Sequence, residues 1–117
     1  MRGAVSYQVG RAAEDQVEAL YQRRGFVIAG RRWRGKGGEI DLVARDGARV
    51  IFIEVKSART FAEAADHLSA RQAARLCAAA SEFVAGEPAG QGTEMRFDVA
   101  LVDGAGRIDI VENAIGF

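Results

Sequence analysis

The stretch Gly38-Glu39-Ile40-Asp41-Leu42-Val43-Ala44-Arg45-Asp46-Gly47-Ala48-Arg49-Val50-Ile51-Phe52-Ile53-Glu54-Val55-Lys56 decides the fold. Ile40 to Arg45 and Val50 to Lys56 are rich in β-branched and aromatic residues, and the Asp46-Gly47 step between them is a hairpin signal. The two runs are therefore predicted to pair antiparallel. Val50 to Val55 is apolar at every position but Glu54, which suits a central strand covered on both faces.

Elements follow on either side. Val9, Ala13, Val17, Leu20 and Tyr21 repeat with helical spacing, predicting a helix over 6–24 that Gly25 stops. Phe26 to Ala29 is a short apolar run read as a first strand, followed by the basic segment Arg31-Arg32-Trp33-Arg34 and the glycine-rich Gly35 to Gly38. Residues 59–68 show no period and are read as a loop with a short helical turn. Ser69 with Gln72 three residues on is a capping-box pattern, opening a second long helix that ends near Gly86. Arg96 to Val102 and Arg107 to Val111 read as two further strands. The order αβββαββ predicts one domain over 1–117, an α/β or α+β sandwich, read as α/β with a mixed central sheet flanked by helices.

Composition narrows the class. At 117 residues, 49% of them hydrophobic, the chain fills one core. No apolar run reaches the roughly 20 residues that cross a bilayer, and no continuous apolar signal stretch opens the chain, so a cytoplasmic protein without a membrane partner is expected. The single cysteine, Cys77, supports neither a disulfide framework nor a thiolate zinc cage. Net charge is zero, yet eight basic residues stand against three acidic ones up to Lys36, which would let one face attract phosphate. Only Lys36 and Lys56 among sixteen basic residues are lysines, so arginine is the ordinary cation here. No Walker phosphate loop, dinucleotide glycine fingerprint or nucleophilic serine elbow is present.

The acids in the hairpin carry the candidate chemistry. Strand alternation puts Glu39 and Asp41 on one face of the second strand, and Glu54 and Lys56 on one face of the third. The hairpin register brings Asp41 near Glu54, so two carboxylates and an ammonium converge. Such a group suits a hard cation, Mg²⁺ or Mn²⁺, held by Asp41, Glu54 and the backbone carbonyl of Val55, with Lys56 positioning a water for attack on a phosphodiester. Glu14, near the middle of the first helix, reaches the same site if that helix packs over the hairpin. A solvated strand end is the ordinary reading of an isolated Glu-x-Lys; what argues against it is that these acids terminate apolar strands. Trp33 between Arg32 and Arg34 is read either as a base-stacking platform or, more commonly, as a core-edge residue. Asp98 is read as structural, and His67 stands without a second histidine at ligand spacing.

The motifs Gly10 with Glu14, Gly38-Glu39-Ile40-Asp41-Leu42, Phe52-Ile53-Glu54-Val55-Lys56, Gln72, and Arg96-Phe97-Asp98-Val99 resemble those of the YraN-type family of bacterial proteins, from about Gly10 to Asn113-Ala114. That family is largely uncharacterised and is similar in fold to archaeal Holliday-junction resolvases and other restriction-endonuclease-like, PD-(D/E)xK enzymes. The resemblance implies a metal-dependent nuclease with metal ligands Asp41 and Glu54, catalytic Lys56, and supporting roles for Glu14 and Gln72; Glu39, beside Asp41, is read as supporting the site or as pairing with a nearby arginine. It points to DNA, branched or structured, as the partner; the basic charge of this region makes Arg31, Arg32, Trp33, Arg34, Lys36 and Arg59 the expected contacts. Resolving a junction needs two sites, hence a homodimer. The family pattern sets arginine closer behind the motif lysine than Arg59, which here follows Ser57-Ala58. A non-catalytic nucleic-acid or protein-binding module on the same fold is the rival expectation, and an RNA nuclease a third.

Overall fold

The computed structural model describes residues 2–115, with side chains described from Gly10 onward; those of Arg2 and Val9 lie outside the described residues. The elements are α1 (Arg2–Arg23), β1 (Val27–Arg34), β2 (Glu39–Asp46), β3 (Arg49–Ser57), α2 (Phe61–Asp66), α3 (Ala70–Val84), a 3₁₀ turn (Gly90–Gly92), β4 (Met95–Val102) and β5 (Ile108–Val111). One sheet runs β1-β2-β3-β4-β5, antiparallel except for the parallel β3–β4 pair. A parallel pair cannot be joined by a hairpin, so the chain crosses over between β3 and β4, and α2 and α3 fill that crossover.

The helices cover opposite faces because β3 alternates two sets of apolar side chains. Ile51 and Ile53 pack with Leu42, Ala44, Ala100 and Val102 beneath Ala13, Val17 and Tyr21 of α1. Val50 and Phe52 pack with Val43 and Phe97 beneath Leu76, Ala79, Ala80 and Val84 of α3. A third cluster places Ala64 of α2 against Val99 and Leu101. Each fully buried Val, Leu, Ile or Phe stabilises the fold by about 1.5–3 kcal/mol, so this two-sided burial holds β3 at the centre. The α/β architecture, a mixed sheet between helices, agrees with the sequence reading. No helix among the described residues is long and apolar enough to cross a membrane.

Termini of the helices follow the predicted chemistry. Gly25, at φ +92°, ends α1 where a side chain would be strained. The Ser69–Gln72 capping box forms in both directions, at 3.1 and 3.3 Å. Two boundaries differ from expectation. Residues 61–66, expected as a loop with a short helical turn, make a six-residue helix capped by Thr60, whose hydroxyl accepts from Glu63 N–H. The basic segment Arg31–Arg34 belongs to β1 instead of following it. Its polar residues lie on an edge strand, where carboxylates of α1 meet them, so no apolar period marks it.

Asp98 is a buried anchor. Its carboxylate accepts hydrogen bonds from Tyr21 Oη (2.6 Å), the Arg96 guanidinium (2.9 and 2.8 Å) and the Asn113 backbone N–H (3.0 Å). It ties β4 to α1 and to the segment after β5.

Candidate active site

Regular alternation fails in β2 at Asp41. Leu42 and Ala44 face α1, Val43 faces α3, and Ile40, which by period should share the face of Leu42, packs on the α3 side. Register explains where the break falls. On β1, Arg31 pairs with Leu42 and Trp33 with Ile40, which sets Arg32 opposite Asp41, and Arg32 takes φ +50°. On the other flank the β2–β3 ladder ends at Leu42–Ile53. Beyond it the Asp41 carboxylate accepts the Val55 N–H at 2.8 Å. A side-chain oxygen thus does the work of a ladder carbonyl, and the two strands part at that point.

A cleft of about 370 Å³ opens there, lined by Glu14, Arg32, Gly38, Glu39, Asp41, Glu54, Gln72 and Arg75. The Glu54 side chain is 13% exposed, and Lys56 Nζ lies 3.7 Å from its Oε1. Lys56 does not line the cleft itself; it reaches the acids through Glu54, from the same face of β3. Burial pushes the Glu54 carboxyl up to about 9, reinforced by a hydrogen bond with Asp41 and by the Asp41 charge, with the Lys56 ammonium pulling the other way. Glu14, from α1, also has its pKa raised, first by burial, and the Asp41 charge adds to this while Arg32 opposes it. Its Oε2 accepts from Arg32 Nε at 3.0 Å.

Sequence-predicted residues are divided by this geometry. Glu14, Glu39, Asp41, Glu54 and Gln72 meet in one cleft, with Lys56 adjoining it. Val55 enters through its N–H. Glu39 is paired with Arg34 at 3.2 Å, and Gln72 lines the wall while capping α3. Arg31 pairs with Glu18, and Arg59 with Glu63 at 3.9 Å. Trp33 packs edge-on against Phe83, with ring centroids 5.4 Å apart, at the border of the α3-side core. Lys36 is exposed on the β1–β2 loop. His67 is exposed at the end of α2 and does not line the cleft. Sequence reasoning missed Arg75, although its place one turn beyond Gln72 on α3 is a signal that could have found it.

Among the described residues no three His, Cys, Asp or Glu side chains are gathered to hold a metal ion. What exists is a carboxyl pair, Asp41 and Glu54, with Glu14 close by but drawn to Arg32. Two apposed carboxyls, one of them buried, resist joint ionisation without a counter-charge, and their oxygens are hard donors. The pair therefore fits a hard divalent cation that retains most of its water. A larger concavity of about 570 Å³, between α1, the end of β3 and the β4–β5 turn, is lined mainly by small residues. Its one carboxylate, Asp103, is committed to Arg107 and to turn amides.

Comparison with known proteins gives a consistent match. The sequence model of a family described as "Uncharacterised protein family UPF0102" matches residues 13–102. The chain is similar to a UPF0102 protein of Ruegeria pomeroyi, 60% identical over 115 residues that cover 98% of this chain and 94% of the relative. A UPF0102 protein of Cereibacter sphaeroides is 60% identical over 114 residues, 97% of each chain. One of Dinoroseobacter shibae is 43% identical over 112 residues, covering 96% of this chain and 84% of the relative.

Proposed function

Because this chain belongs to the uncharacterised family UPF0102, whose description names no chemistry, we propose from the cleft itself that the protein is a divalent-metal-dependent nuclease hydrolysing phosphodiester bonds of DNA. The observation that carries this reading is the pair of carboxyls on neighbouring strands, Asp41 and buried Glu54, with the Lys56 ammonium 3.7 Å from Glu54.

Asp41 and Glu54 would hold Mg²⁺ or Mn²⁺. Once bound, the cation supplies positive charge to the two carboxylates and to the phosphoryl oxygens, on which negative charge builds in the transition state. The remaining work falls to the chain. Asp41 is tethered at the cleft by its bond to Val55 N–H. Lys56, a compact ammonium on a central strand, orients the attacking water and stabilises developing charge. Glu14, held by Arg32, supports the acidic pair from α1. Branched or structured DNA is the substrate class, met by a homodimer in the cytoplasm.

A specific observation favours the rival, a binding module that keeps the fold: no three-ligand metal group forms among the described residues. One assay separates the two. Purified protein is incubated with labelled linear, branched and single-stranded DNA and with RNA, with Mg²⁺ or Mn²⁺. Cleavage of a DNA should require the cation, and Asp41→Asn, Glu54→Gln and Lys56→Met should each slow it by about 10²-fold or more while remaining folded. Inactivity of the wild type on every substrate, or activity unchanged in the three variants, refutes the nuclease reading.

A further inference from the structure

The basic residues divide into those neutralised by carboxylates and those left to solvent. On β1, Arg31, Arg32 and Arg34 each pair with a glutamate. Lys36, on the β1–β2 loop, and Arg75, on α3, are both exposed and form no ion pair with the described residues. They also stand together: a groove of about 270 Å³ is lined by both, and it shares Gly38, Glu39 and Arg75 with the acidic cleft. The two hollows therefore adjoin, with Arg75 lining both and Lys36 standing in the groove beyond the acidic pair. Glu39 lies between them, and its charge is offset by Arg34 at 3.2 Å.

The loop that carries Lys36 is clamped onto α3. A Cβ at Gly37 would stand 2.8 Å from Ala78 Cβ, and one at Gly38 would stand 3.1 Å from the Arg75 carbonyl oxygen. Glu82 adds a hydrogen bond from the Gly37 N–H to its Oε1, at 3.1 Å. Glycine at these positions lets the loop lie against the helix, so Lys36 and Arg75 extend from a common rigid support. Little backbone ordering is then needed when an anion binds.

We propose that Lys36 and Arg75 form a phosphate-binding subsite that grips the nucleic-acid backbone beside the bond held over Asp41 and Glu54. This rests on the nuclease reading for the identity of the ligand. Of the contacts expected from sequence it keeps Lys36 and adds Arg75 of α3, while the β1 arginines are committed to glutamates. Contacts of this kind set position without reading bases. The subsite is sequence-independent.

The test is fluorescence anisotropy with a fluorescein-labelled single-stranded oligonucleotide and its duplex, in EDTA, over a range of salt concentrations. Lys36→Gln and Arg75→Gln should each weaken binding of either probe and reduce the slope of log K against log salt by about 0.7–0.9, the loss of one phosphate contact. Arg23→Gln, an exposed cation at the far end of α1, should leave the slope unchanged. An equal loss in Arg23→Gln, unchanged slopes in both test variants, or no binding by the wild type at low salt overturns the subsite. Because EDTA removes the metal, the outcomes are separable. Wild-type slopes in the variants alongside metal-dependent cleavage refute the subsite alone, and reduced slopes in a protein that never cleaves support it while the nuclease reading fails.

Discussion

Glu54→Gln tests the buried carboxyl pair without recourse to activity. In the folded protein burial, Asp41 and neighbouring charge raise the Glu54 pKa to about 9, against an ordinary value of 4.5. Between those values the folded chain keeps a proton that the unfolded chain has released. Stability from this group is thus fully present below about pH 4.5 and falls as pH rises towards the folded pKa. The slope approaches about 1.4 kcal/mol per pH unit, so moving from pH 6 to pH 8 removes on the order of 3 kcal/mol, roughly 10 °C in Tm for a domain of this size. Glutamine imitates the protonated acid and does not titrate. The gap between variant and wild type should therefore grow by that amount in favour of Glu54→Gln, measured by urea denaturation at the two pH values. Mn²⁺ at a hundredfold excess over its Kd should return about 2.7 kcal/mol to the wild type at pH 8 and clearly less to the variant. Parallel stability curves for the two proteins between pH 6 and pH 8, or equal stabilisation of both by Mn²⁺, would refute the reasoning.

Two other substitutions probe the neighbourhood. Asp98→Ala strands Tyr21 Oη and the Arg96 guanidinium in the core and should destabilise by about 3–5 kcal/mol in chemical denaturation; a loss under 1 kcal/mol would deny Asp98 its anchoring role. Arg32→Ala removes the cation paired with Glu14 at 3.0 Å and makes the cleft more negative, so calorimetry should find Mn²⁺ bound several-fold more tightly, and weaker binding would show that Arg32 helps to form the site.

Elements with strong local chemistry were legible in the sequence. The Asp46-Gly47 step marked the hairpin, Ser69 and Gln72 marked the start of α3, and Gly25 marked the end of α1. Asp41, Glu54 and Lys56 were legible because charged residues ending apolar strands are conspicuous. The remainder depended on tertiary packing. β1 hid its basic half because Glu14 and Glu18 of α1 supply what a buried strand would obtain from apolar neighbours. Strict alternation placed Glu39 and Asp41 on one face, whereas β2 changes face at Asp41, a break set by Arg32 on the neighbouring strand. Arg75 looks like any cation on an exposed helix until the fold brings the Gly35–Gly38 loop against it. Trp33 allowed two readings in sequence, and its contact with Phe83 puts the ring at the core border.

The Asp41 bond to Val55 N–H means that one carboxylate both latches the sheet and furnishes the cleft. Anything that draws Asp41 out of place also frees a backbone amide and lengthens the fork between β2 and β3. Mechanically, the mouth of the cleft has a hinge pin made from one of its own carboxylates. A substrate wedged between the strands would strain that pin before it disturbed the surrounding core, so protection of the Val55 amide against hydrogen exchange would report engagement of the cleft directly.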